Sequence, residues 1–121
     1  MSALSTATVL SVLSRHIGRE NGATAEQLTR EICLHAQAEP ESKLYTSILT
    51  RQLREAVVQL RLEGHHVCAT PENGYFLAAN AEELDATCVF LHERAMTSLK
   101  QIAAMKRISL PDLRGQLHLP T

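Results

Sequence analysis

Aromatic residues are nearly missing from this chain, which has two Tyr, two Phe and no Trp among 121 residues. A core must then be assembled from Leu, Ile, Val and Ala, which suits packed helices better than a β-sandwich. No run of about 18 apolar residues occurs, so no membrane span is expected. The opening MSALSTATVLSVLSRHIGRE lacks the basic start and long apolar stretch of a signal peptide, so a cytoplasmic location is expected. Cysteine is scarce and odd in number, and Cys33, Cys68 and Cys88 have no paired spacing, so reduced thiols are expected rather than disulfides. Catalytic signatures are missing too. There is no Gly-rich phosphate loop and no G-x-S-x-G elbow, so neither enzymatic activity nor a cofactor is expected. A strong charge of one sign is also lacking. The net charge of −1 argues against a protein that coats nucleic acid indiscriminately.

Apolar residues make up 45% of the chain, enough for one domain with a core and an appended helix. The charge that is present is unevenly placed. Residues 43–61 carry Lys43, Arg51, Arg54 and Arg61 against Glu55 alone, whereas residues 81–98 carry Glu82, Glu83, Asp85 and Glu93 against Arg94. The three acids of residues 82–85 fit the first turn of a helix, where they favour its dipole, better than paired-carboxylate catalysis.

Hydrophobic periodicity predicts a helix over Ala7–Ile17, capped by Thr6 or Thr8, with Val9, Leu10, Val12, Leu13 and Ile17 on one face. Gly18 and Asn21-Gly22 end it. Thr24 followed by Gln27 forms a capping box that opens a second helix, Ala25–Ala36, with Leu28, Ile32 and His35 on one side. Ala38–Leu44, with Pro40, reads as a connection. A third helix is expected from Thr46 to Gly64. Leu49, Leu53, Val57 and Leu60 form its core face, and Ser47, Arg51, Arg54, Val58 and Arg61 form the opposite stripe. His66–Ala69 and Tyr75–Ala78 read as two strands around the turn Pro71–Gly74. Such a hairpin is marginal alone and is expected to lean on the first or third helix through Val67, Phe76 or Leu77. Asn80 and Glu83 predict a second capping box opening a long helix from Ala81 to about Arg107. Leu84, Cys88, Leu91, Ala95, Ser98, Ile102 and Met105 follow alternating spacings of four and three, a heptad-like seam.

A long helix entering directly into a small hairpin is the layout of the second half of a winged helix-turn-helix domain. The run RQLREAVVQLRLEGHHVCATPENGYFLA resembles the winged-helix signature of small phage and prophage proteins. Its matching positions are Arg51, Leu53, Arg54, Val57, Leu60, Arg61, Gly64, Val67, Gly74, Tyr75, Phe76, Leu77 and Ala78. The resemblance covers roughly residues 8–100, and the low net charge departs from it. It implies a mainly α fold with a small β-hairpin: a winged helix-turn-helix domain at 6–79, a long C-terminal helix at 80–108 and a tail at 109–121. It also implies a DNA-binding regulator or replication accessory protein related to phages. The alternative is a phage-encoded adaptor, or an inhibitor of a host defence nucleoprotein, on the same scaffold.

Double-stranded DNA is therefore the expected partner, with Lys43, Thr46, Ser47, Thr50, Arg51, Arg54 and Arg61 as candidate contacts. Arginine can bond guanine O6 and N7 together or clamp a phosphate, and the N-terminal half of such a helix reaches base edges. The competing reading of the stripe is an ordinary solvated helix face. The turn Glu72-Asn73-Gly74 has no cation, so the hairpin reads as a buttress rather than a phosphate grip. The seam residues Leu84, Cys88, Leu91, Ala95, Ile102 and Met105 are candidate homodimer contacts, unless the helix packs on its own domain. His65, His66 and Cys68, Cys33 with His35, and Cys88 with His92 are the nearest approach to a metal set. Zinc wants four ligands and no C-x-x-C pair occurs, so no metal is expected.

Overall fold

The computed structural model describes residues 4–35, 43–107 and 111. The chain is mainly helical with one two-stranded antiparallel sheet. Its elements are α1 (Thr6–Leu13), a single 3-10 turn (Arg19–Asn21), α2 (Ala25–His35), α3 (Lys43–Leu62), β1 (Val67–Thr70), β2 (Gly74–Leu77) and α4 (Ala81–Lys106). This order is compatible with a winged-helix-like layout. The chain divides into two compact units, residues 1–85 and 86–121. The tail expected at 109–121 lies outside the described residues except for Pro111.

In the first unit, α1 is shorter than its periodicity suggests. Its cap is Ser5, whose hydroxyl accepts from Thr8 N–H at 3.1 Å, and neither Thr6 nor Thr8 fills that role. The helix stops at Leu13, and Ile17, expected on its apolar face, lies beyond it and is 50% exposed. Val9, Val12 and Leu13 are buried as expected. The α2 capping box forms as predicted: Gln27 N–H donates to the Thr24 hydroxyl at 3.1 Å, and Thr24 N–H donates to Gln27 Oε1 at 2.8 Å. Leu28 and Ile32 are each 1% exposed.

The α3 helix takes in Lys43, three residues before the expected Thr46, and residues 36–42 of the expected connection lie outside the described residues. Leu49, Leu53, Val57 and Leu60 are buried, as their spacing requires, and they join α1 and α2 in one cluster. The helix closes in a full Schellman motif. His65 N–H reaches the Leu60 carbonyl at 3.0 Å and Gly64 N–H the Arg61 carbonyl at 3.0 Å. Gly64 carries the required positive φ of 97°.

The hairpin pairs Val67 with Leu77, Cys68 with Phe76, Ala69 with Tyr75 and Thr70 with Gly74, so each strand is displaced by one residue from its expected bounds. Its two faces are both covered. Val67 belongs to the main core, while Cys68 and Phe76 are buried on the other side, with Cys68 Sγ 3.6 Å from the Glu83 carbonyl. The outer edge of β2 is also engaged. Leu77 N–H donates to the His16 carbonyl at 2.8 Å, and the Leu77 carbonyl accepts from Gly18 N–H at 2.8 Å. Tyr75 and Ala23 exchange bonds of 2.7 and 2.9 Å. The segment around residues 16–23 thus runs along the hairpin as two isolated bridges.

The start of α4 is capped by Asn80, whose side-chain oxygen accepts from Glu83 N–H at 2.9 Å. Glu83 does not return the bond to Asn80. Its carboxylate accepts instead from Ala79 N–H at 2.9 Å and from Arg19 N–H at 3.1 Å, fastening the helix to the 3-10 turn. Those two donors hold its pKa below the ordinary value.

Candidate nucleic-acid interface

The candidate contacts sort themselves by position along α3. Ser47, Thr50, Arg51 and Arg54 line one groove of about 390 Å³, whose other wall is Ala25 and Glu26 from the first turn of α2. Spacings of three and four residues put these α3 side chains on one side of the helix. Ser47, Arg51 and Arg54 are exposed, and Thr50 is half-buried. The described residues hold no carboxylate within ion-pair distance of Arg51 or Arg54. The groove therefore combines two arginines, two hydroxyls and the N-terminal end of an eleven-residue helix, an end that favours negative charge. Glu26 is the one carboxylate in its lining and works against an anion there. The side chains of Lys43 and Thr46 lie outside the described residues.

Arg61 departs from this group. Its Nε–H donates to the Val67 carbonyl at 2.8 Å, so the guanidinium is committed to β1 and half-buried rather than displayed beside Arg51 and Arg54. The side chain joins the end of α3 to the strand that follows. That is a correction to its place on the exposed stripe.

The hairpin turn carries Glu72, which is exposed, and is braced from within. Asn73 N–H donates to the Thr70 hydroxyl at 2.9 Å. It also sits tightly on the body of the domain, because a Cβ at Gly22 would overlap the Asn73 carbonyl oxygen. Gly74, at φ 75°, packs in the same way against the Ala23 backbone. A hairpin held along one edge and at its turn is a buttress.

A second concavity of about 480 Å³ lies across α2 and holds a pair that the sequence does not advertise, His16 and Glu31. His16 Nε2 is 2.9 Å from Glu31 Oε2, and its Nδ1 is 2.8 Å from the Asn21 carbonyl. Both partners are acceptors when Glu31 is ionised, so the geometry favours the imidazolium, in which both ring nitrogens donate. Burial opposes that charge, but the Glu31 and Asn21 bonds outweigh it and the His16 pKa is raised. Fifteen residues separate the two partners, and no periodicity joins a loop histidine to a helical glutamate. Only the fall of Glu31 one turn after Gln27 offers a hint.

Among the described residues, no three His, Cys, Asp or Glu side chains lie together in a way that would hold a metal. Cys33 and Cys68 are buried thiols and Cys88 is exposed. No described helix is long and apolar enough to cross a membrane. On the long helix, Cys88, Leu91, Ala95 and Met105 are exposed, whereas Leu84 and Ile102 are half-buried. Comparison with known proteins returns no matching family model, no matching curated protein and no matching solved structure.

Proposed function

We propose that this chain is a sequence-specific, double-stranded DNA-binding protein of the winged helix-turn-helix class, a phage-related regulator or replication accessory. The observation that carries this reading is the groove between α2 and α3, where Arg51 and Arg54 stand exposed beside Ser47 and Thr50. In the mechanism, the N-terminal half of α3 enters a major groove. Arg51 and Arg54 then bond guanine edges or clamp phosphates, and the α2 N-terminus faces the backbone. The hairpin supports α3 and makes no grip of its own.

A second reading is favoured by one specific observation. Residues 62–80, hairpin included, hold no Lys or Arg and carry Glu63 and Glu72. A winged helix with an uncharged or acidic wing suits a protein partner, such as a host nucleoprotein complex bound by an adaptor or inhibitor. Titration with mixed-sequence duplex DNA at two salt concentrations separates the two. DNA binding must weaken steeply as salt rises, because engaging phosphates releases counterions. Absence of binding at ~50 mM salt with tens of micromolar protein refutes the DNA reading, because salt below the physiological level strengthens such electrostatic binding.

A further inference from the structure

The charge on α4 is sorted along its length. Residues 81–93 hold Glu82, Glu83, Asp85 and Glu93 with no Lys or Arg, and residues 94–107 hold Arg94, Lys100, Lys106 and Arg107 with no Asp or Glu. The seam Cys88, Leu91, Ala95, Ser98, Ile102 and Met105 runs across the boundary between these halves. Leu91 is 39% and Met105 78% exposed, so this stripe keeps large apolar side chains in water. Leu99, one position off the stripe, is already buried and takes no part. Of the α4 charges, Asp85, Arg94 and Lys106 flank the seam, and Asp85 and Lys106 complement each other only on reversal, so a seam with Leu91 and Met105 exposed and Ile102 half-buried has a natural occupant.

We propose that α4 pairs antiparallel with α4 of a second copy of this chain. In an antiparallel heptad pair, each a position faces a d position. With Cys88, Ala95 and Ile102 at a and Leu91, Ser98 and Met105 at d, the layers become Cys88 on Met105, Leu91 on Ile102 and Ala95 on Ser98. The two-fold axis forms each layer twice. The same register sets Asp85 at the flank opposite Lys106 of the second copy, also twice. The small residues Ala95 and Ser98 at the centre let the helices approach closely. In a parallel pair the same flanking positions face Asn80 and Gln101, so neither Asp85 nor Lys106 meets an opposite charge. The proposal does not depend on DNA binding. A dimer that ignores DNA and a monomer that binds it are separate results.

Sedimentation between ~1 and ~100 µM reads the association, a range that brackets the affinity of a short, small-cored helix pair. A dimer is expected at the upper end, and a monomer throughout overturns the proposal. Orientation is read by mild oxidation. In the antiparallel register Cys88 faces Met105, so Met105→Cys yields a covalent dimer whose cross-linked peptides join position 88 to position 105. The unsubstituted chain and the Cys88→Ser/Met105→Cys variant yield none. A Cys88–Cys88 bridge in the unsubstituted chain means parallel helices and overturns the register. Asp85→Lys and Lys106→Asp should each weaken the dimer roughly tenfold, since each places two like-charged pairs at the flanks. Mixing the two variants restores both flanking attractions and should return a heterodimer of unsubstituted affinity. Failure of the mixture to associate, with both variants fully helical by circular dichroism, refutes the pairing.

Discussion

Replacing Arg61 with Ala separates two roles that the α3 arginines could play. In the hairpin register, Cys68 and Phe76 are a hydrogen-bonded pair, because Ala78 N–H donates to the His66 carbonyl two residues along the same ladder. Val67 is then a non-bonded position whose carbonyl points away from β2, and Arg61 Nε–H fills it at 2.8 Å. A bond from a charged donor contributes about 1.5–3 kcal/mol when sheltered. Arg61 is half-buried, so screening reduces the expected loss to about 1–2 kcal/mol. For a domain of this size that corresponds to a fall in Tm of roughly 5–15 °C. Arg61→Ala should therefore lower Tm by that amount while leaving the salt dependence of duplex binding unchanged. Arg51→Ala/Arg54→Ala should do the reverse. It should shift Tm little but weaken affinity by about 1–3 kcal/mol for each base edge no longer bonded, or reduce the salt slope by about 0.9 for each phosphate no longer engaged. An Arg61→Ala protein of undiminished Tm whose DNA salt slope has fallen refutes the assignment of Arg61 to the strand.

Two further substitutions test the joints of the first unit. The His16 imidazolium has a raised pKa in the fold, so its contribution is complete below the unfolded value of about 6.5 and disappears as pH rises through the folded value. Chemical denaturation of His16→Gln should show a smaller gain in stability between pH 8 and 5.5 than the unsubstituted chain, and equal gains refute the clasp. Glu83 works with the opposite sign. Its pKa is lowered, so its contribution is lost as pH falls below the ordinary carboxylate range, and the His16 comparison belongs above that range. Gly22→Ala should destabilise by about 1–3 kcal/mol because the new Cβ meets the Asn73 carbonyl rather than a yielding side chain. A neutral result by denaturant titration means the hairpin turn moves freely.

The elements with strong periodicity or a local chemical signal are legible from residues alone. The core face of α3, the Thr24–Gln27 box, the Gly64 terminus and the Asn80 cap each need only a few neighbours in sequence. Joints between distant segments are not legible. Ile17 and Ala23 bridge β2 one residue at a time, and a single bridge has no period to detect. The capping-box pattern directs Glu83 to Asn80, yet the nearby Arg19 and Ala79 N–H groups take its carboxylate. Arg61 illustrates a geometric cause. At about 100° per residue Arg61 points within about 20° of Arg54, so its angle on the helix does not set it apart. It lies seven residues farther along the axis, about 10 Å, beyond the groove and beside β1, where a long side chain reaches the Val67 carbonyl instead of solvent.

The same local view changes the weight of the net charge. At physiological salt, exposed charges more than about 8 Å apart are largely screened, so a formal −1 summed over the whole chain says little about one groove. What matters is Glu26, the carboxylate that lines the groove with Arg51 and Arg54. If Glu26 faces a phosphate, it opposes every duplex alike, and Glu26→Gln should tighten binding to all sequences by a similar factor. If instead it accepts from a cytosine amino group, the substitution should weaken the preferred site and leave the others unchanged, flattening the preference by about 1–3 kcal/mol at one base pair. Competition between a selected site and mixed duplex distinguishes these outcomes. If Glu26→Gln alters neither affinity nor preference in a protein that binds DNA, the groove is not where DNA lies.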